Sequence, residues 1–459
     1  MEDQPHLLET IGRLPHFCQE STVFVANLLA IFFENEEKMQ MLLDAVGGAE
    51  SYGGRMLPVV NLIYQGKENN LLILEKEPAQ CMFDYFRNEA GLSLPDTCVV
   101  SHSEYLHIGS ALRQGQDLDA DLIERITSNG NRRMDGYVTD QTLYAMAKLC
   151  QMRPYSTING SRAGNNKLLL HRFIERSDFP TLPTEIAANP GAIKAGLERL
   201  QQGGYESAVI KAPIGASGVG MIMVDRIADQ GRLDGVIPDH FFSEGPCLVQ
   251  GWVMEGKMGV RKLYSPSVQL FLSDSQVALY DLTEQYLSHC SVHEGNESPP
   301  LALLEQAEYR AEILRQAAVA GHWLHDQGYR GMGSVDFILC EKGRGAFSVY
   351  ICEINARVTG ATYPSVLAHH FISNASWFLK NIHFASPQPG EAILNKLRTS
   401  SLLFRPQEMK HGIVPVNLTT NGQHLADKGQ FLFLTEADMP REVLFQMVTD
   451  VEKILCSPH

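Results

Sequence analysis

Apolar and polar positions alternate with two different periods over the first 160 residues. The apolar runs Thr22–Ala30 and Asn70–Leu74 have the length and composition of buried strands. Stretches near residues 35–46 and 140–151 carry apolar positions three and four apart, which predicts amphipathic helices. Strands that alternate with helices in this way are typical of a small open α/β layer.

Strands dominate the chain from about residue 161 to 386. Helices are predicted over Lys167–Arg176 and Pro190–Gln202, and a long helix over 301–327. The predicted strands cover residues 208–212, 221–225, 247–253, 260–264, 268–272, 277–282, 333–340 and 347–355. Most of the connections are too short for parallel crossovers, so this part is predicted to be an α+β body built on antiparallel sheets.

The last part of the chain begins after the proline-containing segment 386–390. Short apolar runs at 412–418 and 430–435 predict strands, and a helix is predicted over 441–455. These elements predict a small closing module of α+β type.

The composition excludes several classes of protein. The 459 residues include 53 acidic and 38 basic side chains, and the net charge of -15 argues against a general binder of nucleic acids or anionic membranes. The nine cysteines include no CxxC pair, so a disulfide framework or zinc cluster is not expected and a reducing cytoplasm fits best. The N-terminus lacks the basic and apolar segments of a signal peptide.

A glycine-rich segment lies between two apolar strands. Gly215, Ser217, Gly218 and Gly220 follow the strand that carries Lys211. The chain continues into another apolar run and not into a helix, which argues against a Walker A loop or a dinucleotide-binding turn. Glycine lets backbone N–H groups approach phosphates closely, and the lysine ammonium can reach the same phosphates. The alternative interpretation is an ordinary tight hairpin.

Two acidic residues interrupt apolar strands on either side of a predicted hairpin turn at 341–345. If the turn is centred on that segment, Asp336 faces Ile351 and Glu353 is its diagonal neighbour. Asn355 follows Glu353 at a spacing of two, so it shares the same face. Two carboxylates this close repel each other unless a cation lies between them, and oxygen ligands suit Mg²⁺. In the alternative interpretation, both acids point to solvent at a sheet edge.

The order of these features resembles the ATP-grasp superfamily. The order is Lys167, Lys211, the glycine-rich segment, the strand end Gln250–Val253, Asp336, and Glu353 with Asn355. Within it, residues Glu353–Pro364 resemble the peptide ligases of the pheganomycin type. The resemblance implies an ATP-grasp fold over 161–386, preceded by a pre-ATP-grasp α/β domain over 1–160. It also implies a C-terminal module over 387–459.

The resemblance implies how ATP is held. Lys167 and Lys211 would contact the phosphates beneath the glycine-rich segment, and Lys211 would also take part in catalysis. The side chain of Gln250 and the backbone of Val253 would meet the adenine.

The resemblance also implies a metal site and a second catalytic residue. Asp336, Glu353 and Asn355 would hold one or two Mg²⁺ ions. Many members of the superfamily have an arginine two residues before the metal-binding aspartate, and this chain has Ser334 there. We infer that Arg357 takes over that role at the γ-phosphate or acyl phosphate.

The acceptor pocket is expected near the segment Asp281–Tyr286. Glu284 would attract an amine or guanidine there, with Arg261 nearby in the sequence. The alternative interpretation of Glu284 is a solvated carboxylate at a strand end.

The activity implied by this resemblance is an ATP-dependent carboxylate–amine ligase, forming a peptide or amide in specialised metabolism. The reaction would pass through an acyl phosphate and yield ADP and phosphate. Its partners would be a small-molecule or peptide carboxylate and an amine. The alternatives are a ligase that loads an amino acid onto a carrier protein, an ATP-grasp kinase, and a non-catalytic ATP-binding protein. A homodimer is left open.

Overall fold

The computed structural model describes residues 4–456 except 34, 46–48, 67–69, 117, 230–236, 288–292, 305 and 421–424. These residues form three β-sheets of five, four and ten strands, with helices packed against them. Across the described residues, no helix has both the length and the apolar character needed to span a membrane.

The N-terminal part contains a parallel five-stranded sheet. The strands of this part of the chain are β1 (His6–Glu9), β2 (Thr22–Val25), β3 (Leu71–Leu74), β4 (Asp96–Val99), β5 (Arg133–Gly136) and β6 (Arg153–Pro154). Its helices are α1 (Glu36–Ala45), α2 (Val60–Ile63), α3 (Gln80–Asp84), α4 (His102–Arg113), α5 (Ala120–Thr127) and α6 (Gln141–Leu149). The sheet has the order β4-β3-β2-β5-β6, and β1 lies outside it. The α/β layer predicted for this part is present.

One predicted strand of this part is too long. The strand expected over Thr22–Ala30 ends at Val25, and Leu28–Phe32 form a 3-10 helix. Both segments are buried, so the apolar run continues through the change of conformation. Hydrophobicity alone does not separate a buried strand from a buried helical turn.

The middle part contains the small antiparallel sheet. Its elements are α7 (Ile158–Gly164), α8 (Lys167–Arg176), β7 (Thr184–Ala187), α9 (Pro190–Gln202), β8 (Ala208–Ala216), β9 (Val219–Val224) and β10 (Cys247–Gly251). The strands have the order β7-β10-β8-β9. Helix α8 begins where Asn166 accepts hydrogen bonds from the backbone N–H groups of Leu168 and Leu169, which places Lys167 at its first turn.

The remaining strands form the ten-stranded sheet. They are β11 (Val260–Tyr264), β12 (Pro266–Leu272), β13 (Gln276–Leu287), β14 (His293–Ser298), β15 (Gly331–Lys342), β16 (Phe347–Asn355), β17 (Ser376–Pro389), β18 (His411–Thr420) and β19 (Leu425–Thr435). The helices are α10 (Leu301–Leu304), α11 (Ala307–Asp326), α12 (Thr362–Phe371), α13 (Gly390–Thr399) and α14 (Glu442–Cys456). The order is β11-β15-β12-β13-β14-β17-β19-β18, with β16 on β15 and β1 on β13. The long helix predicted over 301–327 is therefore two helices.

The two faces of the central strands have opposite character. Val268, Leu282 and Phe337 belong to the apolar core with residues of α11. The alternating positions Ser267 and Asp336, which are paired across β12 and β15, form part of a polar face. Strand β19 pairs with β17 and β18 pairs with β19, so both continue the same sheet. The domain bounds 1–160, 161–386 and 387–459 stay a prediction.

Candidate functional site

Asp336 and Glu353 lie directly opposite each other on β15 and β16. The prediction that Asp336 faces Ile351 is wrong, because a bulge between Asp336 and Phe337 shifts the register and pairs Phe337 with Ile351. Asn355 pairs with Ser334 at the next position of the same face. The bulge therefore brings the two carboxylates closer than the regular hairpin would.

Asp336 is surrounded by hydroxyl groups and by the amides of Asn355 and Gln285. Ser267 donates a hydrogen bond of 2.6 Å to its Oδ1, and Ser334 donates one of 3.2 Å to the same atom. Asn355 Nδ2 donates to Oδ2 over 2.9 Å. Burial and, to a smaller extent, the negative charge of Glu353 raise the pKa of Asp336 to about 6. The carboxylate is thus held in place in surroundings that oppose its charge.

Three cations surround the opposing carboxylate. Lys167 Nζ lies 2.5 Å from Glu353 Oε1. Burial acts to raise the pKa of Glu353, but Lys167, Arg357 and Lys211 together lower it below its usual value. Burial lowers the pKa of Arg357, whose Nη1 donates a hydrogen bond of 2.6 Å to Asn165 Oδ1. The predicted phosphate-binding and catalytic cations therefore all interact with Glu353.

The donor set fits a hard cation. In the described part of the chain, no cluster of three or more His, Cys, Asp or Glu side chains forms a metal site. Two carboxylates and one amide are nonetheless together, and Asn355 Oδ1 is buried without any hydrogen-bond donor. A buried acceptor left without a donor is costly, and a bound cation would satisfy it.

The glycine-rich segment is a hairpin, as predicted. Its two-residue turn has φ of 50° at Ser217 and 86° at Gly218, the geometry of a tight turn between antiparallel strands. A Cβ atom on Gly215 would lie 2.4 Å from the carbonyl oxygen of Val219, so only glycine fits there. Lys167 Nζ donates to the Gly215 carbonyl over 3.2 Å, which places the hairpin next to the carboxylate pair.

Lys211 is held beside the same site by the strand end that follows. Its Nζ donates to Gln250 Oε1 over 2.9 Å and lies 3.9 Å from Cys352 Sγ on β16. Gln250 Nε2 donates to Thr184 Oγ1 over 3.0 Å. The amide of Gln250 is thus used to position Lys211, and Val253 lies just beyond the end of β10.

Arg261 and Glu284, the two residues predicted to line an acceptor pocket, do not share the polar face around Asp336. Arg261 is exposed on β11, which pairs with the far end of β15 at Leu339–Lys342. Glu284 alternates with Thr283, so it points to the face of the sheet opposite Asp336. Burial raises the pKa of Glu284 to about 7, and its Oε1 accepts a hydrogen bond of 2.5 Å from the backbone of Ser265.

The fold is that of known enzymes of solved structure. The N5-carboxyaminoimidazole ribonucleotide synthetase of Thermus thermophilus aligns over 95% of this chain and 99% of its own, with a TM-score of 0.55 and 12% identity. The ATP complex of the Aspergillus clavatus synthase aligns over 95% and 99%, with a TM-score of 0.54 and 14% identity. These structures confirm the predicted ATP-grasp fold.

The chain is also similar in sequence to one characterised class of ligase. The butirosin acyl-carrier protein–L-glutamate ligase of Niallia circulans is 28% identical over 308 residues, which are 66% of this chain. The aligned part spans 64% of that ligase. No family model matches the chain. The resemblance to ATP-grasp ligases is confirmed, and the finer likeness to the pheganomycin type stays a prediction.

Proposed function

We propose that this chain is an ATP-dependent ligase that joins a carboxylate to an amine and releases ADP and phosphate. The convergence of Lys167, Lys211 and Arg357 on the Asp336–Glu353 pair, beside a glycine hairpin, is the observation that carries the proposal. The similarity to the Niallia circulans ligase supports the reaction class. The Aspergillus clavatus ATP complex, which has the same fold, supports the nucleotide.

ATP is proposed to bind between the small sheet and β16. Lys167 and Lys211 bind the phosphates, and the backbone N–H groups of the glycine hairpin cover them. The amide of Gln250 already forms hydrogen bonds with Lys211 and Thr184. We therefore propose that the backbone near Val253 forms the hydrogen bonds to the adenine edge.

The proposed Mg²⁺ ligands are Asp336, Glu353 and Asn355. Bound Mg²⁺ supplies positive charge that offsets the phosphate oxygens during phosphoryl transfer. The chain itself contributes the orientation of these ligands, since Ser267 and Asn355 hold both oxygens of Asp336. With phosphates and cations present, Lys167 is free to leave Glu353 for a phosphate oxygen.

The proposed reaction has two steps. A carboxylate oxygen of the acid attacks the γ-phosphorus of ATP, the bond to the β–γ bridging oxygen breaks, and ADP leaves. The nitrogen of the amine then attacks the acyl carbon of the acyl phosphate, and phosphate leaves with the bonding electrons. The amine nitrogen loses a proton to solvent or phosphate. Arg357 binds the acyl phosphate, since its guanidinium lies next to Glu353 and Asp336.

A second candidate function differs in the acceptor. The Niallia circulans relative is named for a carrier-protein substrate and L-glutamate. The same acyl phosphate could be attacked by a thiol or an amine on a carrier protein, which would make this chain a loading enzyme.

Product analysis separates these functions. The chain is incubated with ATP, Mg²⁺ and L-glutamate, alone, with an amine mixture, and with a carrier protein that bears its phosphopantetheine arm. ADP release that requires acid and amine supports the ligase, and a mass increase of the carrier supports loading. A stable phosphorylated acid without any acceptor would instead identify a kinase.

A matched pair of variants links this activity to the site. Glu353→Gln removes a carboxylate beside the proposed phosphates, and Glu341→Gln removes one from the far end of the neighbouring strand. ADP release should fall about 1,000-fold or more in Glu353→Gln and change little in Glu341→Gln. Equal activities of the two variants would contradict the proposed site.

The compartment and the place of two further residues are also proposed. The cytoplasm is the proposed compartment, supported by nine cysteines without a CxxC pair. Arg261 and Glu284 are proposed to bind substrate outside the phosphate site, since Arg261 lies at the far end of β15 and Glu284 on the other face of the sheet from Asp336. A homodimer stays a prediction.

A further inference from the structure

A half-buried arginine, Arg55, has no acidic partner among the described residues. Arg55 ends the 3-10 helix Ala49–Met56, with its Cζ 3.4 Å from the centre of the Tyr52 ring. Its Nη1 lies 3.5 Å from the hydroxyl of Tyr363, and its Nε is buried without a hydrogen-bond acceptor. Within the described residues, no carboxylate forms an ion pair with it. A guanidinium whose Nε is shielded from water and has no acceptor is costly, and a bound anion would satisfy it.

The backbone that carries Arg55 is fixed by close contacts. A Cβ atom on Gly53 would lie 2.7 Å from Ala26 Cβ, at the end of β2. A Cβ atom on Gly54 would lie 2.8 Å from Asn417 Oδ1 on β18. Because only glycine fits at both positions, Tyr52 and Arg55 are held between the N-terminal sheet and the C-terminal strands.

Polar side chains from three other elements form the remaining walls. The hydroxyl of Tyr363 on α12 donates a hydrogen bond of 3.0 Å to Gln430 Oε1 on β19. The hydroxyl of Tyr137, which follows β5, lies 3.4 Å from the carbonyl of Tyr52. Burial lowers the pKa of Lys428, two residues before Gln430, and the positive charge of Arg55 lowers it further. Arg55 thus lies among three tyrosines, and its charge also interacts with that of Lys428.

This cluster adjoins the carboxylate-activating side of the site. Tyr52 interacts electrostatically with Arg357 as well as stacking on Arg55. Arg357 in turn interacts with Glu353 and Asp336. An acid whose reacting carboxylate lies at Arg357 would therefore extend its other end toward Tyr52 and Arg55.

We propose that Arg55, assisted by Lys428, binds a second carboxylate of the acid substrate, so that the acid is a dicarboxylate. The inference rests on the proposed function and adds the substrate class. A planar guanidinium matches the two oxygens of a carboxylate, and stacking on Tyr52 fixes its plane. Lys428, whose charge interacts with that of Arg55, supplies a second positive charge.

Hydroxamate formation tests this specificity without knowledge of the amine, because hydroxylamine captures acyl phosphates. L-Glutamate and glutarate are compared with L-2-aminobutyrate and butyrate, which lack the second carboxylate, and with 4-phosphonobutyrate. The wild type should prefer the dicarboxylates by about 10-fold or more in kcat/KM, the effect expected of a charge-assisted hydrogen bond. Arg55→Gln should remove that preference and leave the KM for ATP unchanged, whereas Arg87→Gln, on an exposed helix-end arginine, should change neither.

Two further variants guard against misfolding. Arg55→Lys keeps the charge and should lose part of the preference, and Lys428→Gln on β19 should also lose part of it. Thermal unfolding of each variant is measured alongside. Equal use of mono- and dicarboxylates by the wild type would overturn the inference and leave the ligase proposal intact. Preference for 4-phosphonobutyrate would overturn it in favour of a phosphate-type anion.

A measurement of glutarate binding tests the role of Arg55 independently of whether the chain catalyses the proposed reaction. Calorimetric titration of glutarate is carried out in the presence of a non-hydrolysable ATP analogue. Binding that weakens about 10-fold or more in Arg55→Gln supports the inference even if no acid is turned over. Absence of glutarate binding, or equal binding to both proteins, would overturn it.

Discussion

Lys167 and Glu353 are joined by a hydrogen bond of 2.5 Å between Nζ and Oε1. The lysine lies at the first turn of α8, and the glutamate lies on β16 of a different sheet. The same ammonium donates to the carbonyl of Gly215 in the glycine hairpin. Lys167 therefore connects the proposed metal site to the loop that is proposed to cover the phosphates.

Loss of this lysine should weaken ATP binding. Lys167→Met keeps much of the side-chain length but removes the charge, so the phosphates lose a direct cation. We expect the KM for ATP to rise about 10- to 100-fold, as for loss of one charge-assisted hydrogen bond. Initial rates of ADP release at varied ATP measure it. Lys262→Met, on an exposed lysine of β11, serves as the control, and the same KM in both variants would contradict the assignment.

Lys211 and Gln250 should act as a unit. The amide oxygen of Gln250 accepts a hydrogen bond of 2.9 Å from Lys211 Nζ, so the glutamine acts on ATP mainly through the lysine. Lys211→Met is expected to raise the KM for ATP more than Gln250→Ala does. The double variant should differ little from Lys211→Met alone, because neighbouring residues are not additive. Additive losses in this double-mutant cycle would show that Gln250 contacts the nucleotide independently.

A buried ion pair between Lys38 and Glu244, next to the strand that leads into the glycine hairpin, should stabilise the fold. Lys38 on α1 has a fully buried side chain, and its Nζ lies 2.6 Å from Glu244 Oε2 and 3.2 Å from the carbonyl of Ile214. Lys38→Met leaves Glu244 with a poorly solvated charge, and should lower the free energy of unfolding by about 3 kcal/mol. Adding Glu244→Gln should recover part of that loss in urea unfolding. A double variant that is less stable by the sum of the single losses would argue against the pair.

The stability of the chain should depend on pH through Asp135. Its Oδ2 accepts a hydrogen bond of 2.5 Å from the hydroxyl of Tyr64, and burial raises its pKa to about 6. Since the pKa in the unfolded chain is about 3.9, the native state binds the proton more tightly, and its stability falls as pH rises from about 4 to 6.

Replacing this carboxyl should remove that part of the pH dependence. From pH 4 to 6 the wild type should lose free energy of unfolding relative to Asp135→Asn, because only the wild type has this carboxyl group. Above pH 6 the difference between the two proteins should stay constant. Its total change should be no more than about 3 kcal/mol. Urea unfolding at several pH values measures it. A difference that does not change over this range would contradict the raised pKa.

The sequence predicts the two central strands of the site, but it does not predict which residues of the two strands lie opposite each other. Apolar alternation around Asp336 and Glu353 predicts two strands and a hairpin, and both are present. The bulge after Asp336 has no glycine or proline to indicate it, so regular counting places Ile351 opposite. The register depends on packing across three strands, which a local pattern does not contain.

The long-range parts of the fold are less visible in the sequence. Strand β17 (Ser376–Pro389) was not predicted, because it contains prolines and polar residues and alternates weakly. It links β14 to β19, so the joining of the C-terminal strands to the large sheet went unpredicted as well. The pairing of β1 with β13 joins residues far apart in sequence, which composition cannot reveal.

The contacts between substrate-facing residues also depend on the tertiary fold. Ser267, which donates a hydrogen bond to Asp336, lies 69 residues before it in the sequence. Arg55 and Tyr363 meet across a separation of 308. The only sequence feature that points to Arg55 is the pair of glycines before it, Gly53 and Gly54. Such a pair indicates close packing of the backbone, but it does not show which residues pack against it.

Transfer of oxygen from the acid to phosphate tests the central claim most directly. L-Glutamate with both oxygens of each carboxylate labelled with ¹⁸O is turned over with ATP, Mg²⁺ and hydroxylamine, and the inorganic phosphate is examined by mass spectrometry. If the carboxylate attacks the γ-phosphorus, each phosphate released carries one ¹⁸O and the ADP carries none. Unlabelled phosphate, or label found in AMP, would contradict activation of the acid by the γ-phosphate.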